Sequence, residues 1–264
     1  VVVQSEIVVT PAAGDGVALV TLNLPDRRNA MTEGMTSAWR NAMTELARDR
    51  SVRCLVVTGA GTAFCAGGDL AWLQTSPQDT IEDVRRRMAE FYRSWLSVRS
   101  LGIPVVAAVN GAAIGAGLAL ALACDVRIAA DDARLAVPFT ALGLHPGMAT
   151  AWLLRDVAGA AVARDLLLTG RTLSAPQARE VGLVSQVVPS AQLRPHALSV
   201  AQDIARAAPL ATRLTTEALR SIPDSIEDAL RWDELAQSVT MLSEDLDEGL
   251  AAARERRQPR FGRR

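Results

Sequence analysis

The sequence predicts an α/β protein, with a sheet-based core followed by a helical extension at its C-terminal end. Three observations predict it. Strand-like and helix-like segments are mixed through the first two-thirds of the 264 residues. From Ala191 onward every segment has a helical pattern. Two glycine-rich stretches each follow an apolar run of strand length and lead into a helix. The expected division is 1–195 for the core and 196–264 for the helical region, which is suited to packing on another subunit.

Residues 1–10 are apolar with no basic segment ahead of them, so a strand or short lead-in is expected there and not a signal peptide. Residues 17–23 alternate as a strand does, and residues 32–50 are helical, with Met35, Trp39, Met43 and Leu46 near one stripe. A short apolar strand over 52–58 runs into the glycine-rich stretch 59–68. Residues 80–100 make a long amphipathic helix. Pro104 opens another strand, Asn110-Gly111 marks a turn, and the alanine- and leucine-rich residues up to Cys124 favour a helix. Further strands are expected at 126–130 and 135–137, and helices at 148–157 and 160–169. Ser174-Ala-Pro-Gln177 is a capping box whose helix Gly182 closes, and 184–188 is again a strand. The final helical run breaks at Pro209 and Pro223, and Asp224 with Glu227 marks the start of its last long helix. The basic tail, 254–264, is expected to fray unless a ligand or neighbour orders it.

Composition excludes several functions. A hydrophobic share of 49% with a net charge of −1 is globular and gives no reason to expect nucleic acid or an anionic membrane as partner. All 28 basic residues are arginine. Without lysine there is no P-loop lysine, no Schiff base and no tyrosine–lysine pair. Arginine suits bidentate phosphate recognition, which stays open. Cys54, Cys65 and Cys124 match no zinc or redox spacing, so no metal is expected and the compartment reads as a reducing cytoplasm. Residues 105–124 have the length and the Gly-x-x-x-Gly spacing of a membrane helix. Their valine-rich start, internal turn and lack of a basic flank argue for the soluble reading.

The chemistry lies in the two glycine-rich stretches, LVVTGAGTAFCAGGDL over residues 55–70 and VVAAVNGAAIGAG over residues 105–117. Each is placed to present backbone N–H groups at a helix start, where the donors have no intrahelical partner. Two such groups aimed at one point form an oxyanion hole, whereas the plain alternative is a pair of tight turns. A dehydrogenase-type glycine loop would need the absent tyrosine–lysine pair; the only tyrosine, Tyr92, has Leu96 four residues on.

Both stretches resemble the signature segments of the crotonase (enoyl-CoA hydratase/isomerase) superfamily. So do residues 22–30, the capping motif through residues 173–184, and Asp247-Glu248-Gly249 through Phe261, all in the family's order. The resemblance implies a ββα spiral core, a helical C-terminal part that builds homotrimers or hexamers, and acyl-CoA thioesters as ligands. Coenzyme A would enter only as part of the substrate, with no other cofactor. Position by position, it implies that the N–H groups of Gly68 and Ala116 hold the thioester oxygen. Asp69, Leu70 and Ala71 would line the thioester end with Gly68, and the Ala66 backbone would lie near the adenine. Arg27 and Arg28 would meet phosphate, and Phe139 would line the acyl site.

The chain also departs from that family. The two glutamates of a typical hydratase align with Ala119 and Phe139, and Ala116 replaces a usual glycine. Neither Ala119 nor Phe139 can move a proton, so water addition by the usual route is not expected. His145, in a loop before a helix, is the candidate substitute acid or base, against the alternative of a packing or capping histidine. His196 reads as structural or solvated, and Asp69 as a loop-orienting residue, with action on substrate as the alternative. Glu90 reads as part of a solvated face and Cys65 as a buried thiol. Arg85-Arg86-Arg87 is read as charged helix surface, with CoA phosphates as the alternative. Two functions stand: an enzyme that works through an oxyanion-stabilised enolate with altered acid–base groups, and a non-catalytic fatty acyl-CoA binding protein.

Overall fold

The computed structural model describes residues 2–4, 6–12, 14–221 and 225–262. Strands β1 (Val2–Gln4), β2 (Ile7–Thr10) and β3 (Val17–Leu22) form an antiparallel ribbon. Helix α1 (Glu33–Arg48) follows, with Thr32 as its N-cap accepting from the Met35 N–H. Its stripe of Met35, Trp39, Met43 and Leu46 is buried, as the sequence predicts.

Three turns of one design come next. The first is β4 (Cys54–Gly59), β5 (Ala63–Cys65), then α2 (Leu70–Leu73) and α3 (Ile81–Leu96). The second is β6 (Val105–Val109), β7 (Ala112–Ile114) and α4 (Ala116–Ala123). The third is β8 (Val126–Ala130), β9 (Arg134–Ala136) and α5 (Thr150–Thr169), the last kinked at Gly159. Then come β10 (Leu173–Ser174), α6 (Ala175–Glu180) and β11 (Gln186–Val188).

The first strand of each turn enters a seven-stranded sheet of order β1-β2-β3-β4-β6-β8-β11, parallel from β3 onward. The second enters a four-stranded sheet of order β10-β9-β7-β5. The chain therefore winds as a ββα spiral. Strand β6 is buried along its whole length, which is why it reads as continuous valine and alanine and not as an alternation. All eight residues of α4 are buried between the layers. That burial accounts for the apolar run over 105–124, and no helix among the described residues is long and apolar enough to cross a membrane.

Four C-terminal helices follow: α7 (Leu193–Ala205), α8 (Pro209–Arg220), α9 (Ile226–Met241) and α10 (Glu244–Glu255). Helix α7 spans residue 196 and buries Leu193, Ala197, Ala201 and Ala205 against β3, β4, β6 and β8. Helix α9 buries no residue. Leu230, Leu235, Val239 and Met241 on it are exposed, as is Leu242 just after it.

The structure corrects several expectations at this end. Ser225, not Asp224, caps α9 by accepting from the Asp228 N–H; Pro223 and Asp224 lie outside the described residues. The last helical run is two helices, with Ser243 capping the second. The tail is tied down through residue 262 by the molecule itself. Arg257 donates to both carboxylate oxygens of Glu248 at 2.6 and 2.9 Å, and Arg53 donates to the carbonyls of Phe261 and Gly262. The Arg257 hydrogen bonds are the main reason the Glu248 carboxyl is held down to about 2.

Candidate active site

The site is built where the loop before α1 meets the loops after β5 and β7. Asn29, fully buried, fixes the first loop. Its Oδ1 accepts from the Leu24 N–H, and its Nδ2 donates to the carbonyls of Ala60 and Ala63 at 2.9 and 2.7 Å. The Ala66 N–H donates to the Arg28 carbonyl at 2.9 Å, and the Met31 N–H to the Gly67 carbonyl at 2.8 Å. The Asp69 N–H donates back to the Met31 carbonyl, which completes a parallel bridge between Met31 and Gly68. Neighbouring residues of an extended chain point their N–H groups to opposite sides. The Gly68 N–H therefore faces away from Met31 and has no acceptor among the described residues.

The second loop supplies the other donor. The Gly115 N–H is paired with the Ala136 carbonyl at 2.8 Å, and Gly115 turns the chain with φ 56° into α4. Ala116 is the first residue of that helix, so its N–H has no intrahelical partner. It has none elsewhere among the described residues. The loops touch: a β-carbon on Gly67 would stand 2.6 Å from the Ile114 carbonyl oxygen and 3.4 Å from the Ala116 nitrogen. Gly67 also has φ +96°, so glycine is required on both counts.

A cavity of about 880 Å³ opens over these amides. It brings together every site residue expected from the sequence: Arg27, Arg28, Ala66, Gly68, Asp69, Leu70, Ala71, Ala116, Phe139 and His145. Ala119 is fully buried one turn into α4 and does not line it. Asp69 is the N-cap of α2, accepting from the Ala71 N–H at 2.8 Å and pairing with Arg27 through its other oxygen. Both contacts tie down the loop that carries Gly68. His145 is exposed at the cavity wall with no hydrogen bond among the described residues. His196 bonds Gln186 and does not line the cavity. Cys65 is buried and donates to the Asn29 carbonyl at 3.0 Å; burial pushes its thiol up to about 12. Glu90 is exposed.

Sequence reasoning missed the wall supplied by α3: Val84, Arg87, Met88, Phe91 and Tyr92. The signal was the helical spacing of 84, 88 and 91, which marks one face of the amphipathic helix. Tyr92 stands close enough that a β-carbon on Gly147 would lie 2.5 Å from its hydroxyl. Burial raises its phenol above the ordinary value, so it stays a neutral donor. The acids lining the cavity are Asp26 and Asp69.

A ββα spiral with two unpaired amides at the floor of one cavity defines a protein of the crotonase fold. The chain belongs to the enoyl-CoA hydratase/isomerase family, whose sequence model matches residues 12–264. The solved structure of an enoyl-CoA hydratase from Bacillus anthracis superposes with a TM-score of 0.92 at 34% identity, covering 98% of this chain and 100% of the other. A Mycobacterium tuberculosis protein named probable enoyl-CoA hydratase EchA14 is 41% identical over 248 residues, 91% of this chain and 94% of its own. The 1,2-epoxyphenylacetyl-CoA isomerase of Escherichia coli K12 is 36% identical over 248 residues, 93% of this chain and 95% of its own.

Proposed function

We propose that this protein binds acyl-CoA thioesters with the thioester oxygen between the N–H groups of Gly68 and Ala116. It then runs a reaction through an enolate-like intermediate with atypical acid–base groups. The observation that carries this reading is that both amides are unpaired on two loops in contact beneath one cavity. Neutral donors fixed in place favour the oxygen as it gains charge, and one such donor is worth about 2.7–4 kcal/mol in a known case. Arg27 and Arg28 meet the CoA phosphates, Ala66 the adenine side, and Leu70, Ala71 and Phe139 the acyl side.

Ala119 and Phe139 stand where the family resemblance puts the two glutamates of a hydratase. Water addition by that route is therefore not the reaction proposed. Decarboxylation or bond cleavage needs charge stabilisation more than proton transfer and suits the site. His145 is the residue proposed to move a proton where one is needed. Relatives named as hydratase and as isomerase fit the family but not one reaction. A second reading, a non-catalytic acyl-CoA binder, is favoured by the lining acids: Asp69 is committed to its cap and to Arg27, and Asp26 is exposed.

Calorimetric titration with butyryl-CoA and turnover on a thioester panel test both. Binding with turnover that His145→Ala abolishes supports the enzyme. Tight binding without turnover supports the binder, and no binding of any CoA ester ends both readings. The exposed leucines of α9 support assembly as a homotrimer or a hexamer in a reducing cytoplasm, which light scattering measures as three or six chain masses.

A further inference from the structure

The arginine triplet of α3 is not uniform. Arg85 bonds Glu82 at 2.8 and 3.0 Å, and Arg86 bonds Asp83 at 2.6 Å, each across one helical turn. The same step back from Arg87 reaches Val84, which is apolar and lines the cavity with it. Arg87 makes no hydrogen bond among the described residues, and its Nε is buried without a partner. Its guanidinium lies over the Trp72 ring, 5.4 Å from the centroid. It forms a loose ion pair with Asp79 at 3.8 Å, beyond hydrogen-bond range, and that carboxylate already accepts from the Ser76 N–H at 3.0 Å. A guanidinium on a side chain only 34% exposed thus lies against an apolar wall with no hydrogen bond from any of its donors among the described residues.

We propose that Arg87 recognises a carboxylate on the acyl group, so that the site takes CoA thioesters of dicarboxylic acids in preference to plain acyl-CoA. The inference rests on the acyl-CoA reading above and names its substrate class. A half-buried guanidinium that makes no hydrogen bond is unfavourable, and a carboxylate engaging its terminal nitrogens adds the charge-assisted bonds that the loose Asp79 pair does not supply. The position separates this role from phosphate binding. Arg27 and Arg28 are exposed at the other loop, whereas Arg87 sits between Val84, Met88 and Phe91 on the helix that forms the apolar wall.

The test is calorimetric affinity for length-matched pairs: butyryl- and succinyl-CoA, hexanoyl- and adipyl-CoA, octanoyl- and suberyl-CoA, with free CoA as control. In at least one pair the carboxylated ester is expected to bind about tenfold tighter or better. Arg87→Met keeps an unbranched apolar side chain of similar reach and should erase that ratio while leaving free CoA unchanged; Arg87→Lys should restore part of it. Equal affinity within every pair in the unaltered protein overturns the proposal and leaves the acyl-CoA reading standing. An Arg87→Met loss that is equal for free CoA and all esters assigns the residue to the phosphates and overturns it too. Failure of every CoA ester to bind removes the underlying reading.

Discussion

Arg27 and Asp69 are 42 residues apart in the chain and form an ion pair at the lip of the cavity, joining the loop before α1 to the loop that carries Gly68. Asp69 is buried and caps α2 with its other oxygen, whereas Arg27 is half exposed. The cap is therefore the larger contribution, since an exposed partner leaves an ion pair at about 1 kcal/mol or less. Asp69→Ala should destabilise the fold by about 2 kcal/mol through the lost cap and the stranded N–H groups. Asp69→Asn keeps an acceptor and should lose less than half of that. Midpoints of urea unfolding separate the two variants.

Ala116 offers a way to remove an amide without removing a helix. It is the first residue of α4, a position where proline is accommodated because that N–H has no intrahelical partner. Ala116→Pro deletes the proposed oxyanion donor and puts ring carbons in its place. Melting temperature is expected to change little, while turnover on any accepted thioester falls by about 10²–10³-fold. Circular dichroism with a kinetic assay checks both halves.

The three cysteines set a pH dependence. Burial pushes Cys54, Cys65 and Cys124 each up to about 12 in the folded protein. An unfolded thiol titrates near about 8.5. The folded state therefore binds the proton more tightly. This contribution to stability is intact below the unfolded value and is lost as pH rises from there toward the folded one. Unfolding midpoints should be flat with respect to these groups at neutral pH and fall steadily above about pH 8.5. All three thiols should resist a disulfide reagent at pH 8 until denaturant is added.

Much of this was legible in the sequence, for identifiable reasons. The stripe of α1 and the Ser174–Gln177 box are local signals that the structure contains, and at the expected Asn110-Gly111 turn the chain bends at Gly111 between β6 and β7. Strands β5, β7 and β10 were not legible. They have two or three residues each and exist only because neighbouring turns of the spiral pair with them, a relation that no periodicity encodes. The two amide loops were found because glycine marks them. Arg87 was misread as surface with Arg85 and Arg86, because separating it requires knowing that its partner one turn back is Val84 and that this face lines a cavity.

Glycines 68 and 117 make the sharpest contrast in the site. A β-carbon at Gly117 would lie 2.1 Å from the Cys65 carbonyl oxygen, so backbone must move, and Cys65 belongs to the strand that positions the Gly68 loop. At Gly68 the same carbon would meet only the Leu73 side chain at 3.7 Å, ordinary contact with a flexible group. Gly117→Ala should destabilise by about 1–3 kcal/mol and weaken acyl-CoA binding, because it drives the two amide loops apart. Gly68→Ala keeps its N–H and should change stability by less than about 1 kcal/mol, with binding retained. If both variants bind butyryl-CoA as the unaltered protein does, close approach of the two loops is not what holds the thioester.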